Sequence, residues 1–198
     1  MEQEQPIIRI SVRNLVEFIL RSGDIDNRIA GMDKDAMLMG GKIHRKIQRQ
    51  MGAGYHAEVS LKHEILCRGF ILSVEGRADG IMETADGIVV DEIKGIYKEL
   101  EFLKEPAQAM CYAYIYANQQ GLSDIGVQMT YCNLETEEIK RFQNVYPYEE
   151  LERWFLELAG QYEKWARYQI SWRKKRNASI KKIEFPFPYR EGQRDLTV

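Results

Sequence analysis

Apolar residues first recur at helical spacing from Val12 to Arg21, where Leu15, Val16, Ile19 and Leu20 share one face and Gly23 closes the run. A second helix is predicted from Asp33 towards Met51, ended by the breaker Gly52-Ala53-Gly54. The pattern then changes to three predicted strands, Tyr55 to Leu66, Phe70 to Met82 and Ile88 to Ile96. Cys67-Arg68-Gly69 and Ala85-Asp86-Gly87 read as the turns between them, the second with Asp-Gly hairpin chemistry. Pro106 suits the first position of a helix running to Asn118 and stopped by Gly121. Ile125 to Cys132 and Ile139 to Val145 read as a further strand pair, and Pro147 as the opening of a long helix to about Arg176. On that helix Leu151, Phe155, Leu158, Tyr162, Trp165 and Trp172 keep spacings of four and three until Gln169 interrupts, which reads as a packing face. Helices, a meander of strands, a helix, more strands and a closing helix make the chain α/β or α+β.

Composition narrows the class without naming a function. The chain has 198 residues, 44% hydrophobic and 29% charged, which suffices for one domain with a real core. No stretch approaches the roughly 20 apolar residues that span a bilayer. The N-terminus MEQEQPIIRI lacks the basic and apolar regions of a secretory signal. Cys67, Cys111 and Cys132 are scattered and odd in number, which argues against a disulfide framework and for a reducing cytoplasm. A net charge of −2 does not by itself suggest nucleic acid. Local basic clusters stand at Lys42 to Lys46 and Arg173 to Arg176, and either alone reads as a solvated helix face.

Chemistry concentrates in Gly76-Arg77-Ala78-Asp79-Gly80-Ile81 and, nine residues on, Val89-Val90-Asp91-Glu92-Ile93-Lys94-Gly95. Side chains two apart in a strand share a face, so Glu92 and Lys94 point one way, while Val89, Asp91 and Ile93 point the other. The hairpin at Asp86-Gly87 brings the Asp79 strand beside the Glu92 strand. Two carboxylates and an ammonium then converge at one end of a sheet, a set suited to a hard divalent cation and to charge developing on a phosphate. Glu-x-Lys alone says little, because the chain repeats it at Glu138-Ile139-Lys140 with Asp124 upstream. That second copy follows the polar turn Leu134-Glu135-Thr136-Glu137 rather than an apolar strand, and no polar pair at helical spacing comes after it.

After Lys94 comes Gln108-Ala109-Met110-Cys111-Tyr112, with Gln108 and Tyr112 on one helix face; before Asp79 comes Gly40-Gly41-Lys42-Ile43-His44. In order, Gly-x-x-x-His, Gly-x-x-Asp, Glu-x-Lys and Gln-x-x-x-Tyr resemble the RecB-like branch of the PD-(D/E)XK nucleases over roughly His44 to Tyr112. The resemblance implies a restriction-endonuclease-like core, a central mixed β-sheet flanked by helices. It implies that His44, Asp79, Glu92 and the main-chain carbonyl of Ile93 hold Mg²⁺ or Mn²⁺, with Lys94 positioning the attacking water. Gln108 and Tyr112 would contact the DNA backbone or steady the site, with Lys42 and Arg45 as further substrate contacts. Glu58 matches a position where related enzymes often carry an acid. Some of these nucleases hold an iron–sulfur cluster through four cysteines; with three, one of them inside the core, none is expected here.

The end of the chain, Phe185-Pro186-Phe187-Pro188-Tyr189-Arg190-Glu191-Gly192-Gln193-Arg194-Asp195-Leu196, reads either as a proline-rich tail or as the start of a helicase domain. In the second reading it resembles the adenine-recognition motif of XPD/DinG-like superfamily 2 helicases, with Gln193 as adenine reader and ATP as partner. The expected organisation is a nuclease domain over residues 1–178 and a linker or helicase start over 179–198. The expected function is metal-dependent cleavage of DNA, exonuclease-like on ends or single strands, in a nuclease–helicase of DNA repair or processing. The alternatives are a DNA-binding, guiding module with weak or no cleavage, and a nuclease fold acting on RNA.

Overall fold

The computed structural model describes residues 5–21, 34–97, 106–183, 187, 188 and 190–192, the side chains of 34–38 excepted. Gln193 lies outside the described residues. The chain begins with a strand that the hydrophobic pattern does not announce, β1 (Ile7–Ser11), in which Ile8 and Ile10 point inward and Ile7 and Arg9 outward. Ser11 ends it and caps the next helix, its hydroxyl accepting the Asn14 N–H at 3.1 Å, so α1 (Val12–Leu20) starts without an orphaned donor there. After α2 (Lys34–Gln50) come β2 (Tyr55–Cys67), β3 (Phe70–Thr84) and β4 (Gly87–Ile96), close to the predicted bounds. Gly69 and Gly87, at φ 90° and 127°, supply the backbone that the two hairpin turns require.

Then follow α3 (Ala107–Gln120), β5 (Asp124–Asn133), β6 (Ile139–Pro147) and α4 (Tyr148–Ile180). Pro106 stands at the N-cap position of α3, one residue before the first helical position expected of it and without a side-chain capping bond, and Gly121, left-handed at φ 67°, returns its N–H to the Ala117 carbonyl. Pro147, expected to open the last helix, is instead the last residue of β6, where it faces Asp124 at the outer edge of the sheet. A proline is tolerated there because an edge position needs fewer ladder donors.

The six strands form one mixed sheet. β2 pairs antiparallel with β3 over nearly its whole length, filling one edge. The opposite edge of β3 is shared, with β1 parallel to Ile71–Glu75 and β4 antiparallel to Gly80–Thr84. Residues 76–79 of β3 lie between those two ladders, where β4 leaves β3 and continues beside β5 alone, as far as Ile96↔Asn133. This fork positions the candidate site.

Ile43 and Ile47 of α2 pack with Ile93, Cys132 and Leu134 on one face of the sheet. Lys94, on the opposite face of β4, meets Gln108 of α3. α3 is buried nearly all round, and its Tyr114 stacks on Phe155 of α4 at 4.4 Å between ring centroids. Two compact units divide the chain, residues 1–163 and 164–198, so α4 contributes to both. Among the described residues no helix is long and apolar enough to cross a membrane.

Candidate active site

The fork between β3 and β4 creates a backbone problem that a side chain solves. Beyond Asp91, β4 no longer has β3 as a ladder partner, and the Ile93 N–H on that side needs an acceptor. Asp79 provides it: its Oδ2 accepts the Ile93 N–H at 2.7 Å. A hydrogen bond to a charged acceptor is worth about 1.5–3 kcal/mol, enough to fix the Asp79 rotamer. The other oxygen, Oδ1, faces His44 Nδ1 of α2 at 3.4 Å. This contact favours the protonated imidazole, and it is the main reason the His44 pKa is raised, against the opposing effect of burial.

On β4, Lys94 Nζ donates to Glu92 Oε1 at 2.7 Å and to Gln108 Oε1 at 2.6 Å. Glu92 is 8% exposed. Burial pushes its carboxyl up to about 7; Lys94 works against the shift and the nearby Asp79 charge adds to it. Tyr112, one helical turn after Gln108, lies over Gly76, and a Cβ there would stand 2.7 Å from its hydroxyl. The glycine of Gly-x-x-Asp is therefore required by packing. The glycine of Gly-x-x-x-His is not, since a Cβ on Gly40 would meet nothing within 4 Å. Burial raises the Tyr112 pKa, with Glu92 adding to the shift, so its phenol stays neutral.

His44, Asp79, Glu92, Lys94, Gln108 and Tyr112 thus come together from α2, β3, β4 and α3. Ile93 contributes its N–H to Asp79 while its side chain is buried in the core. Lys42 and Arg45 are exposed on α2.

Three features go beyond the sequence reading. Gln48 donates from Nε2 to the Asp79 main-chain carbonyl at 2.9 Å and to Glu58 Oε1 at 3.0 Å. The local hint of it is its spacing, four residues after His44 and so on the same helix face. Glu58 has φ 59°, a costly backbone for a residue with a Cβ, and also pairs with Arg77 Nε at 2.6 Å. On the opposite face of β4, Asp91 is fully buried, accepting from Thr130 at 2.6 Å, Gln128 at 3.0 Å and Tyr55 at 3.2 Å. Burial raises the Asp91 pKa despite these three donors. Tyr55 reaches it across Gly80, where a Cβ would stand 1.9 Å from the tyrosine Cζ and 2.0 Å from its hydroxyl.

Two carboxylates, an imidazole and a main-chain carbonyl are the donor types that a divalent cation such as Mn²⁺ accepts. Among the described residues, however, no three His, Cys, Asp or Glu side chains are gathered in ion-binding geometry. Lys94 supplies positive charge beside Glu92 instead, and the His44 imidazole faces Asp79. The donor chemistry fits a cation that takes over that counter-charge.

No family model and no curated protein matches this sequence. Among solved structures, the fold is similar to that of the protein SSO0001, at 18% identity and a TM-score of 0.52, over 81% of this chain and 75% of that one. It is also similar to the alkaline exonuclease LHK-Exo from Laribacter hongkongensis, at 11% identity and a TM-score of 0.52, over 87% of this chain and 94% of that one. At such identities the likeness is one of fold: a mixed sheet flanked by helices, as in these neighbours.

Proposed function

We propose that the chain is a metal-dependent deoxyribonuclease, hydrolysing phosphodiester bonds at the fork between β3 and β4. The observation that carries this reading is the convergence of Asp79, Glu92 and Lys94, with Lys94 held by Gln108, on a fold shared with an alkaline exonuclease. A divalent ion held by Asp79 and Glu92, with His44 and the Ile93 carbonyl as further donors, would supply Lewis acidity at the scissile phosphate. Lys94 would hydrogen-bond the attacking water or a phosphate oxygen, and its bond to Gln108 supports that role by setting its direction. In the metal-free chain burial pushes the Glu92 carboxyl up to about 7, so taking up the ion would displace a proton from it. Tyr112 offers a neutral hydroxyl to the backbone of the strand. Association with a helicase domain belongs to the same proposal and rests on residues 185–196 of the sequence alone.

The test is incubation of end-labelled single- and double-stranded DNA with the purified chain and Mn²⁺ or Mg²⁺. Metal-dependent shortening of the label is expected, with Mn²⁺ at least as effective as Mg²⁺ because manganese tolerates imidazole nitrogen better. Intact DNA under both ions overturns the reading in favour of a binding module.

A further inference from the structure

α4 carries one hydrophobic stripe with two fates. Phe155, Leu158 and Tyr162 are buried, the last at 5% exposure. From Lys164 to the end of α4 the aromatic residues are exposed: Trp165 by 44%, Tyr168 by 61% and Trp172 by 46%. At positions i, i+3 and i+7 these three occupy one face of the helix, with the two tryptophans about 10 Å apart along its axis. The charge changes over the same residues. Lys164 to Ile183 contain eight Lys or Arg and no Asp or Glu, in a chain whose net charge is −2.

We propose that this half of α4 is a binding surface for single-stranded nucleic acid. Exposed aromatic rings stack on unpaired bases, and the cations between them meet the phosphates. The arrangement favours this occupant over an anionic membrane. A helix that lies in a bilayer interface separates an apolar face from a basic one. Here Lys175 and Arg176 fall on the aromatic side at 100° per residue, and the Arg176 guanidinium sits 4.8 Å from the Trp172 ring centroid. Rings and cations are interleaved, as a strand of alternating bases and phosphates requires. The inference deepens the proposed nuclease function by adding a surface that holds a strand, and it lies within the unit formed by residues 164–198.

The probe is a fluorescein-labelled oligothymidylate of about 30 nucleotides, longer than the site size of one binding module. It is titrated with the full chain in EDTA, so that no cleavage intervenes, and binding is read by anisotropy over a salt series. The Lys175→Glu, Arg176→Glu double variant is expected to weaken binding at least about tenfold and to flatten the salt dependence. The Tyr168→Ala, Trp172→Ala double variant is expected to weaken binding about tenfold with the salt slope kept, since stacking releases no counterions. Circular dichroism checks that both variants keep the helix. Duplex DNA of equal length should compete less well than the single strand. Equal affinity in the wild type and both variants, equal competition by duplex, or binding to anionic vesicles but not to the oligonucleotide each overturns the assignment. A chain that binds through these residues yet never cuts DNA retains this inference and loses the nuclease reading. A chain that cuts but binds equally well in both variants does the reverse.

Discussion

The tripeptide Glu-Ile-Lys occurs twice in this chain, and the fold treats the two copies differently. Ile93 and Ile139 meet in the same hydrophobic cluster, Ile93 as a fully buried member and Ile139 packed against it. Their charged neighbours do not share a fate. Glu92 is 8% exposed and bonded to Lys94 at 2.7 Å, whereas Glu138 is 59% exposed and stands 3.9 Å from Lys140. Glu92 lies on β4, a strand with neighbours on both sides, covered on its acidic face by α3. Glu138 precedes β6, the edge strand, and Asp124 pairs with Pro147 at the far end of that hairpin. Identical residues therefore acquire different surroundings: at the first copy burial, a second acid and a fixed ammonium come together, and at the second the acid is exposed.

The comparison breaks most sharply in activity. Asp79→Asn and Lys94→Ala are each expected to lower the rate of DNA cleavage by about 10²–10³-fold or more, the usual loss when one preorganised electrostatic group is removed. Lys140→Ala should leave the rate within about twofold. Rates on end-labelled DNA, with folding checked by circular dichroism, decide this; a large loss in Lys140→Ala means that the second copy is the working one.

Stability should separate the copies less. Ile93→Ala removes a fully buried side chain and is expected to cost about 2–5 kcal/mol, while Ile139→Ala, partly buried, should cost about 1 kcal/mol. Urea midpoints measure both. Because the two side chains share one cluster, the double variant should depart from additivity. Equal costs for the two single variants would mean that the edge strand is packed as tightly as the centre.

The smallest effect concerns pH. Glu92 titrates near 7 in the fold against 4.5 in the unfolded chain, so the folded state binds more protons between those values. Stability of the metal-free protein should then fall as pH rises from about 4.5 to 7 and level off above, by at most a few kcal/mol. The raised His44 pKa acts in the same direction but in a higher window: its stabilisation is complete below 6.5 and is lost as pH rises through the folded value. The difference between wild type and Glu92→Gln isolates the lower window. A wild-type curve parallel to that of Glu92→Gln from pH 4.5 to 7 contradicts the buried carboxyl, and Glu138→Gln should run parallel throughout.

Much of the site is legible in the sequence because strand and helix periodicities are local. Spacing of two places Glu92 with Lys94 and sends Asp91 to the other face, and spacing of four joins Gln108 to Tyr112. What local spacing cannot reveal is the partner across the fold. The donors to Asp91 come from β2 and β5, and the Gln48 bond to Asp79 ends on a main-chain carbonyl 31 residues away. β1 escapes notice because five residues after a proline, the last of them a helix cap, offer barely two periods of alternation. The stripe on α4 reads as a packing face along its whole length, but Trp165 and Trp172 are exposed: periodicity states which residues share a face, not whether anything covers it.

The most direct measurement is the paired assay of Glu92→Gln and Glu138→Gln on end-labelled single-stranded DNA with Mn²⁺. Both substitutions keep size and remove an ionisable carboxyl, in the same tripeptide, at positions that differ in burial and company. If the fork between β3 and β4 is the catalytic centre, Glu92→Gln leaves the label intact while Glu138→Gln cuts at the wild-type rate. Wild-type cutting by Glu92→Gln contradicts that assignment, whatever Glu138→Gln does.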